Sequence, residues 1–230
     1  MSDLSSLKIA KPPSTLREIA LEKMRDAIIS GLFEPGQRLV ERTLCDQMGV
    51  SRTVIREVIR HLESEGLVEV ISNQGPAVAR LDWDTARQIY DIRAQLESEA
   101  AAACATQIGT EDLDALRTAL EELESESHSN DATSLIKATT TFYRTIFSAA
   151  RNDIAWEIVD RLNGRISRLR VLTLSTGDRL NTGPKRMREI YQAIAERKPH
   201  EAAAACRTHL HEAREIARQI LTADTGGETE

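Results

Sequence analysis

Aromatic residues and long uncharged stretches are scarce in this sequence. Aromatic side chains make up 3% of the 230 residues, which counts against a β-sandwich or a β-barrel because strands favour aromatic and β-branched residues. The longest stretch without Asp, Glu, Lys or Arg is eleven residues, from Ala100 to Thr110, whereas a membrane-spanning helix needs about 20 apolar residues. The composition therefore favours helices and offers no candidate for a membrane span.

Cysteine is also scarce. The three cysteines, Cys45, Cys104 and Cys206, are odd in number and far apart in the chain, so we do not expect a disulfide framework. Residues 1–13 lack the apolar segment of a secretory signal. Both features predict a cytoplasmic protein.

The excess of negative over positive charge lies in the second part of the chain. Residues 1–80 carry 11 Lys and Arg against 11 Asp and Glu, whereas residues 81–230 carry 19 against 25. The net charge of −6 therefore belongs to the second part. A neutral first part can still bind DNA if its cations share one face, because counterion release is local to the contact.

Glycine and proline divide the first eighty residues into short elements. Five glycines and two prolines fall between positions 31 and 76, which implies tight turns. The spacing of apolar residues predicts three helices and two strands, and Ser51 is in the position of an N-cap. The predicted helices cover about 16–28, 41–48 and 52–65, and the predicted strands cover 67–71 and 77–81. This order of elements is typical of a winged helix-turn-helix.

The helix predicted over 52–65 has two different faces. An apolar stripe is formed by Val54, Ile55, Val58, Ile59 and Leu62, and a row of arginines by Arg52, Arg56 and Arg60. Arginines near the start of a recognition helix can reach the O6 and N7 atoms of guanine in the major groove. Such a row can also simply solvate an exposed helix face. The short preceding helix, the Gly49 turn and the hairpin favour DNA binding.

The segment from Arg38 to Leu67 resembles the GntR family of bacterial transcription regulators, most clearly in the run from Val50 to Glu57. Val54 stands where many family members have proline. The resemblance implies DNA contacts at positions that match helix 2, helix 3 and the wing. These positions are Arg42, Ser51, Arg52, Thr53, Arg56 and Gly75 in this sequence.

Residues 82–222 are predicted to form a bundle of helices. Apolar periodicity predicts six helices: from Asp82 or Asp84 to Gln107, from Thr110, up to Ala150, over 153–174, around 187–194 and after Pro199. A loop is predicted over 177–184. The fold is therefore expected to be mainly α, with an arm over 1–14, a winged helix-turn-helix over 15–81, the helical domain over 82–222 and a tail over 223–230.

Behind a GntR-like head, this helical part resembles the FCD effector-binding domain of the FadR subfamily. The matching segments are Ile89 to Glu97, Asn152, Ile190 to Ile194, and Ala202 to Leu210. Many relatives hold a divalent metal here through one Asp and three His. In this sequence, those four positions fall on Thr139, Tyr143, Met187 and His209. Only the histidine remains, and the other three side chains are poor ligands for Zn²⁺, Mn²⁺ or Ni²⁺, so we expect no metal and no other cofactor.

The polar residues on the inward stripes are the candidate effector-binding residues: Arg93, Thr139, Tyr143, Met187 and His209. Arg93 has two equally supported roles, an ion pair with Glu97 four residues on or a clamp for an effector carboxylate. His209 can be a core histidine or a hydrogen-bond donor in a pocket. The other three can pack in the core or line the pocket.

These features predict a transcription regulator rather than an enzyme. We expect a homodimer that binds a short palindromic operator in double-stranded DNA, a repressor whose affinity is controlled by a small organic acid. The sequence contains no metalloprotease helix, nucleophile elbow or phosphate loop. Two alternatives stay open: a metal-dependent FCD-type regulator, and an architectural DNA-binding protein with no effector.

Overall fold

The structure, a computed structural model, describes residues 15–128, 131–174 and 177–223, and for 177–181 the backbone alone. The arm predicted over 1–14 and most of the tail predicted over 223–230 lie outside the described residues. The elements are α1 Leu16–Ile29, α2 Glu41–Met48, α3 Arg52–Ser64, β1 Val68–Ile71, β2 Gly75–Val78, α4 Trp83–Gln107, α5 Thr110–Glu126, α6 Ala132–Ala149, α7 Asp153–Arg161, α8 Asn163–Leu174, α9 Gly177–Ala195 and α10 Pro199–Ala223. We call α1 to β2 the head and α4 to α10 the bundle.

The head is a small three-helix unit with a hairpin. A capping box starts α1, in which the Thr15 hydroxyl accepts from the Glu18 N–H and the Glu18 carboxylate accepts from the Thr15 N–H. The core of the head is apolar and includes Ala20, Met24, Ile28, Leu44, Ile55, Val58, Leu62, Leu67 and Val78. The apolar stripe predicted on α3 therefore faces this core, which leaves the arginine row at the surface.

The wing is an antiparallel hairpin in which Val68 pairs with Val78 and Ile71 with Gly75. The second strand was predicted over 77–81, and the prediction was wrong at both ends. The turn is tighter than expected because Asn73 and Gly75 both adopt positive φ, 62° and 86°, so the strand begins at Gly75. Beyond Val78 the chain turns toward the bundle.

The bundle is built around the long helices α4 and α10, which pack against each other. Its core contains Ala100, Cys104, Leu116, Phe142, Ile146, Phe147, Leu169, Ile190, Cys206 and Ala217. No helix in the described ranges is long and apolar enough to cross a membrane.

Two predictions for the bundle were wrong. The helix expected over 153–174 is divided at Leu162 into α7 and α8. The loop expected over 177–184 belongs to α9, although Pro184 lies inside that helix. Proline removes one backbone hydrogen bond from a helix, and the helical backbone on both sides of Pro184 outweighs this local preference.

Helix α8 joins the bundle to the head. Gly164 lies against Leu67, so close that a Cβ atom on Gly164 would be 2.8 Å from the Leu67 side chain. The Arg165 Nε donates to the Gly66 carbonyl at 3.4 Å, and an Arg168 guanidinium N–H donates to the Ala79 carbonyl. These contacts place one face of α8 on the end of α3 and the wing.

Candidate DNA interface and ligand cavity

The start of α3 presents backbone and side-chain groups to solvent. Gly49 ends α2 in the left-handed conformation with φ of 66°, and the Ser51 hydroxyl caps α3 by accepting from the Val54 N–H at 3.4 Å. Arg52 and Thr53 follow and are exposed. A helix N-terminus with free N–H groups suits a phosphate, and the arginine beside it can reach a base edge.

Arg56 lies one turn further along α3, with its side chain 60% exposed. Its Nε donates to both carboxylate oxygens of Glu41 at 3.0 Å, and this bond raises the pKa of Arg56 above its ordinary value. Glu41 therefore holds the guanidinium in a defined direction at the surface. A DNA contact by Arg56 would exchange this partner for a base or a phosphate.

Arg42 and Arg52 both line a shallow groove between α3 and the wing. The groove is also lined by Arg38 and Pro76, and Pro76 follows Gly75 directly. Gly75 has φ of 86° and no atom within 4 Å of the Cβ position, so the wing tip is open. Of the six predicted DNA-contact residues, the groove brings together Arg42 and Arg52, and it adds Arg38, which the sequence gave no reason to select.

The bundle encloses a cavity of about 50 Å³, enough for a few water molecules. Four of the five predicted effector-binding residues line it: Arg93, Thr139, Met187 and His209. The wall is largely apolar, and the other lining residues are Tyr90, Leu123, Leu135, Arg170, Thr173, Leu174, Gly183, Pro184 and Ala213.

Arg93 is buried and already paired. Its Nε and Nη2 donate to the two carboxylate oxygens of Glu97 at 2.6 and 3.2 Å, and both side chains are no more than 3% exposed. Burial lowers the pKa of Arg93, but the adjacent Glu97 carboxylate outweighs this effect and raises the pKa above its ordinary value. Of the two roles that the sequence left open for Arg93, the ion pair is the one present in the structure.

Tyr143 lies beside the cavity, outside its lining residues. It is 1% exposed, its hydroxyl is 3.9 Å from the Cys206 sulfur, and its ring is tilted against His209 with centroids 6.5 Å apart. Burial raises the pKa of the Tyr143 hydroxyl well above its ordinary value. The side chain therefore packs as a neutral group behind His209.

Arg170 is a charged cavity residue that the sequence reasoning missed. It lies on α8, and its Nη1 donates to the Thr140 hydroxyl at 2.8 Å. Burial, together with the positive charge of Arg93, lowers its pKa to about 10. A signal was present, because Ile166, Arg170 and Thr173 follow helical spacing and would share one face. The sequence left open whether Arg165 and Arg168 reach the pocket, and the structure places both against the head.

The cavity does not suit the metal that the FCD resemblance implies. Thr139, Met187 and His209, three of the four positions that the resemblance implies, do line the same cavity. Among the described residues, however, no group of three or more His, Cys, Asp or Glu is placed to hold a metal ion. One imidazole with a hydroxyl and a thioether is a poor donor set for the divalent ions of such sites.

Two protein-family models match the chain. The model for bacterial regulatory proteins of the GntR family matches residues 16–78, and the FCD domain model matches residues 88–212. The first match covers the head, and the second covers most of the bundle and its cavity.

The chain is similar in sequence to bacterial transcription regulators. The chain is 26% identical to the HTH-type transcriptional regulator YdhC of Bacillus subtilis, over 95% of this chain and 97% of the relative. It is 29% identical to the Glc operon transcriptional activator of Escherichia coli, over 84% and 85%. The fold is similar to that of McbR/YncC of E. coli, with a TM-score of 0.76 at 20% identity over 90% of this chain and 99% of the other.

Proposed function

Because the chain belongs to the GntR family of bacterial regulatory proteins and carries an FCD domain, it is a DNA-binding transcriptional regulator and not an enzyme, and we propose that a small organic acid in the bundle cavity controls its affinity for a short palindromic operator. The observation that carries the proposal is that the cavity has both cationic and apolar lining residues, and that α8, which lines it, also contacts the head. We place the protein in the cytoplasm, where it can reach DNA.

Helix α8 offers a route from the cavity to the head. Arg170, Thr173 and Leu174 line the cavity, whereas Gly164 and Arg165, one to three turns earlier, contact the head. Thr140, which accepts from Arg170, also lines a cleft between the bundle and α1. A ligand that prefers one position of α8 would favour one arrangement of the heads, by no more than its difference in affinity for the two.

We propose repression as the mode of action. A repressor that binds an operator needs only to exclude RNA polymerase, whereas an activator needs a further surface that contacts the polymerase. The relatives include an activator, so a reporter assay decides the point. Deleting the gene should raise expression from the operator-bearing promoter, and a fall in expression would identify an activator.

The DNA-binding half of the proposal is tested at Arg56. An operator is first selected from random duplexes with the purified protein. Arg56→Ala should then cost about 1–3 kcal/mol of binding free energy and relax the base preference at one position. Arg60→Ala, one turn further from the helix start, serves as the control and should change affinity equally for all sequences. If Arg56→Ala leaves binding to the selected operator unchanged, the recognition role of α3 is wrong.

The effector half is tested by a thermal-shift screen with small carboxylic acids. A ligand present at 100 times its Kd adds about 2.7 kcal/mol of stability, which a melting curve detects. An architectural DNA-binding protein would show no shift with any metabolite. A hit must also change operator affinity, since binding without that change would contradict control by the ligand.

We further propose that the protein is a homodimer and that α7 contributes to its interface. Ile154 and Ile158 lie one turn apart on this helix and are 70% and 45% exposed. Exposed apolar side chains on one helix face are typical of an interaction surface. A dimer also supplies the two-fold symmetry that a palindromic operator requires.

The division of the chain into two domains at 81/82 is a further proposal, which limited proteolysis can test.

A further inference from the structure

We propose that Arg170, rather than Arg93, binds the carboxylate of the effector, and that the cavity selects acids with a single carboxylate and an apolar body. The inference rests on the proposed function, since it specifies the ligand of the same cavity. It follows from the charges around the cavity and from which of them have partners.

The two arginines of the cavity differ in their partners. Arg93 uses two N–H groups on the two oxygens of Glu97, so this pair has no net charge. Arg170 has no carboxylate within 4 Å among the residues that the structure describes, and its hydrogen bond goes to the neutral Thr140 hydroxyl. The positive charge of Arg170 is therefore the one that an anionic ligand can neutralise.

A buried guanidinium without a carboxylate partner among the described residues is costly, and an anion that binds to it offsets that cost. The lowered pKa of Arg170, to about 10, reflects this cost, which arises from burial and from the charge of Arg93. The pKa still lies well above neutral pH, so the side chain is charged when the ligand binds. The planar guanidinium can hold a carboxylate through two parallel hydrogen bonds.

The rest of the wall limits the ligand to one negative charge. Leu123, Leu135, Leu174, Met187 and Ala213 supply apolar surface. The Thr139 hydroxyl already donates to the Leu135 carbonyl at 2.8 Å. A second carboxylate against these side chains would lose its hydration without compensation, because Arg93, the other arginine of the lining, is already paired with Glu97. The small volume of about 50 Å³ favours a short acid.

The test is titration calorimetry with acetate, butyrate, hexanoate and octanoate, with the carboxamides of the same lengths, and with succinate and adipate. We expect at least one monocarboxylate to bind, its carboxamide to bind far more weakly, and the dicarboxylates not to compete. Arg170→Met should weaken the bound monocarboxylate about 10- to 150-fold, the range for a lost charged hydrogen bond. Arg170→Lys keeps the positive charge but loses the bidentate guanidinium, so its affinity for the monocarboxylate should lie between that of the wild type and that of Arg170→Met.

Matched variants separate the possible failures. Arg117→Met removes an exposed arginine of α5 and should leave the affinity unchanged. The circular dichroism spectrum of Arg170→Met should match that of the wild type, which shows that the fold is intact. If monocarboxylates bind the wild type and Arg170→Met equally, or if a dicarboxylate binds best, this inference is wrong while the proposed function stands. If no acid binds the wild type, the proposed function fails as well.

Discussion

At the scale of single residues, the buried pair Arg93–Glu97 is the most consequential contact in the bundle. Both side chains are almost fully buried and their bond is bidentate. Removing one partner of such a pair leaves the other charge buried without compensation, whereas replacing both by apolar residues is often neutral. Loss of effector response in an Arg93 variant would therefore not identify a ligand contact, because the fold itself would change.

We predict that Glu97→Gln lowers the free energy of unfolding by about 3–5 kcal/mol, as for other broken buried pairs. The double variant Arg93→Met with Glu97→Leu should recover most of this loss. Urea unfolding followed by circular dichroism measures both values. The control is Glu215→Gln, which breaks an exposed pair with Arg218 of 2.9 Å and should cost less than about 1 kcal/mol. Equal losses at Glu97 and Glu215 would contradict the structural role of the buried pair.

The residue types at the cavity also lead to a prediction about metal content. Thr139 and Met187, which line the cavity, stand at positions where the resemblance to FCD domains implies metal ligands. Protein purified without added metal or chelator should contain well under one equivalent of Zn, Ni or Mn per chain by elemental analysis, because the donor set binds these ions weakly. Stoichiometric metal, or an effector response that EDTA abolishes, would overturn the metal-free assignment.

At the scale of elements, α8 makes two sets of contacts through two faces that its sequence does not distinguish. One face belongs to the cavity through Arg170, and the other packs on the head at Gly164 and Leu67. The absence of a side chain at Gly164 is what allows this close approach. A glycine inside a helix costs about 0.5–1 kcal/mol relative to alanine, so its presence here has a packing reason.

We predict that Gly164→Ala destabilises the protein by about 1–3 kcal/mol, the usual cost of overpacking, despite the better helix propensity of alanine. In a Leu67→Ala background the same substitution should be neutral or stabilising by up to about 1 kcal/mol, because the Cβ atom then has space. Thermal unfolding of the four proteins gives the coupling free energy. An identical effect of Gly164→Ala in both backgrounds would show that the two residues do not touch.

At the scale of the whole molecule, the proposed function requires two chains. A single recognition helix reads few base pairs, so a monomeric head would bind with little specificity. The bundle must therefore hold two heads at a fixed distance. The exposed isoleucines of α7 and the exposed Ile92 of α4 are the surface on which we expect the two copies to meet.

Light scattering at micromolar concentration should give about twice the chain mass of 25.6 kDa. Ile154→Glu combined with Ile158→Glu should shift the protein toward the monomer and weaken operator binding, because like charges would face each other across the two-fold axis. Leu32→Glu, at an exposed apolar residue of the head that is 74% accessible, is the control and should leave the mass unchanged. A wild-type mass near 25.6 kDa would contradict the dimer.

The sequence by itself determined the local structure and the family. Period-3.6 patterns located most of the helices within a few residues but missed the first half of α9 and the break between α7 and α8. Ser51 marked the start of α3 and Gly49 the end of α2, and the resemblance to GntR and FCD proteins was confirmed. These features depend on neighbours along the chain. Where local rules failed, as at Pro184, the surrounding structure outweighed a single residue preference.

Only the tertiary structure decided how distant residues share charges and space. The sequence presented Arg93 and Arg170 as two arginines on helices, and the fold gave one a carboxylate partner and left the other facing the cavity with a hydroxyl. The same holds for Gly164, whose contact with Leu67 joins positions almost a hundred residues apart. Burial and pairing depend on three-dimensional distance, so the proposal that Arg170 rather than Arg93 binds the ligand could be made only once the packing was known.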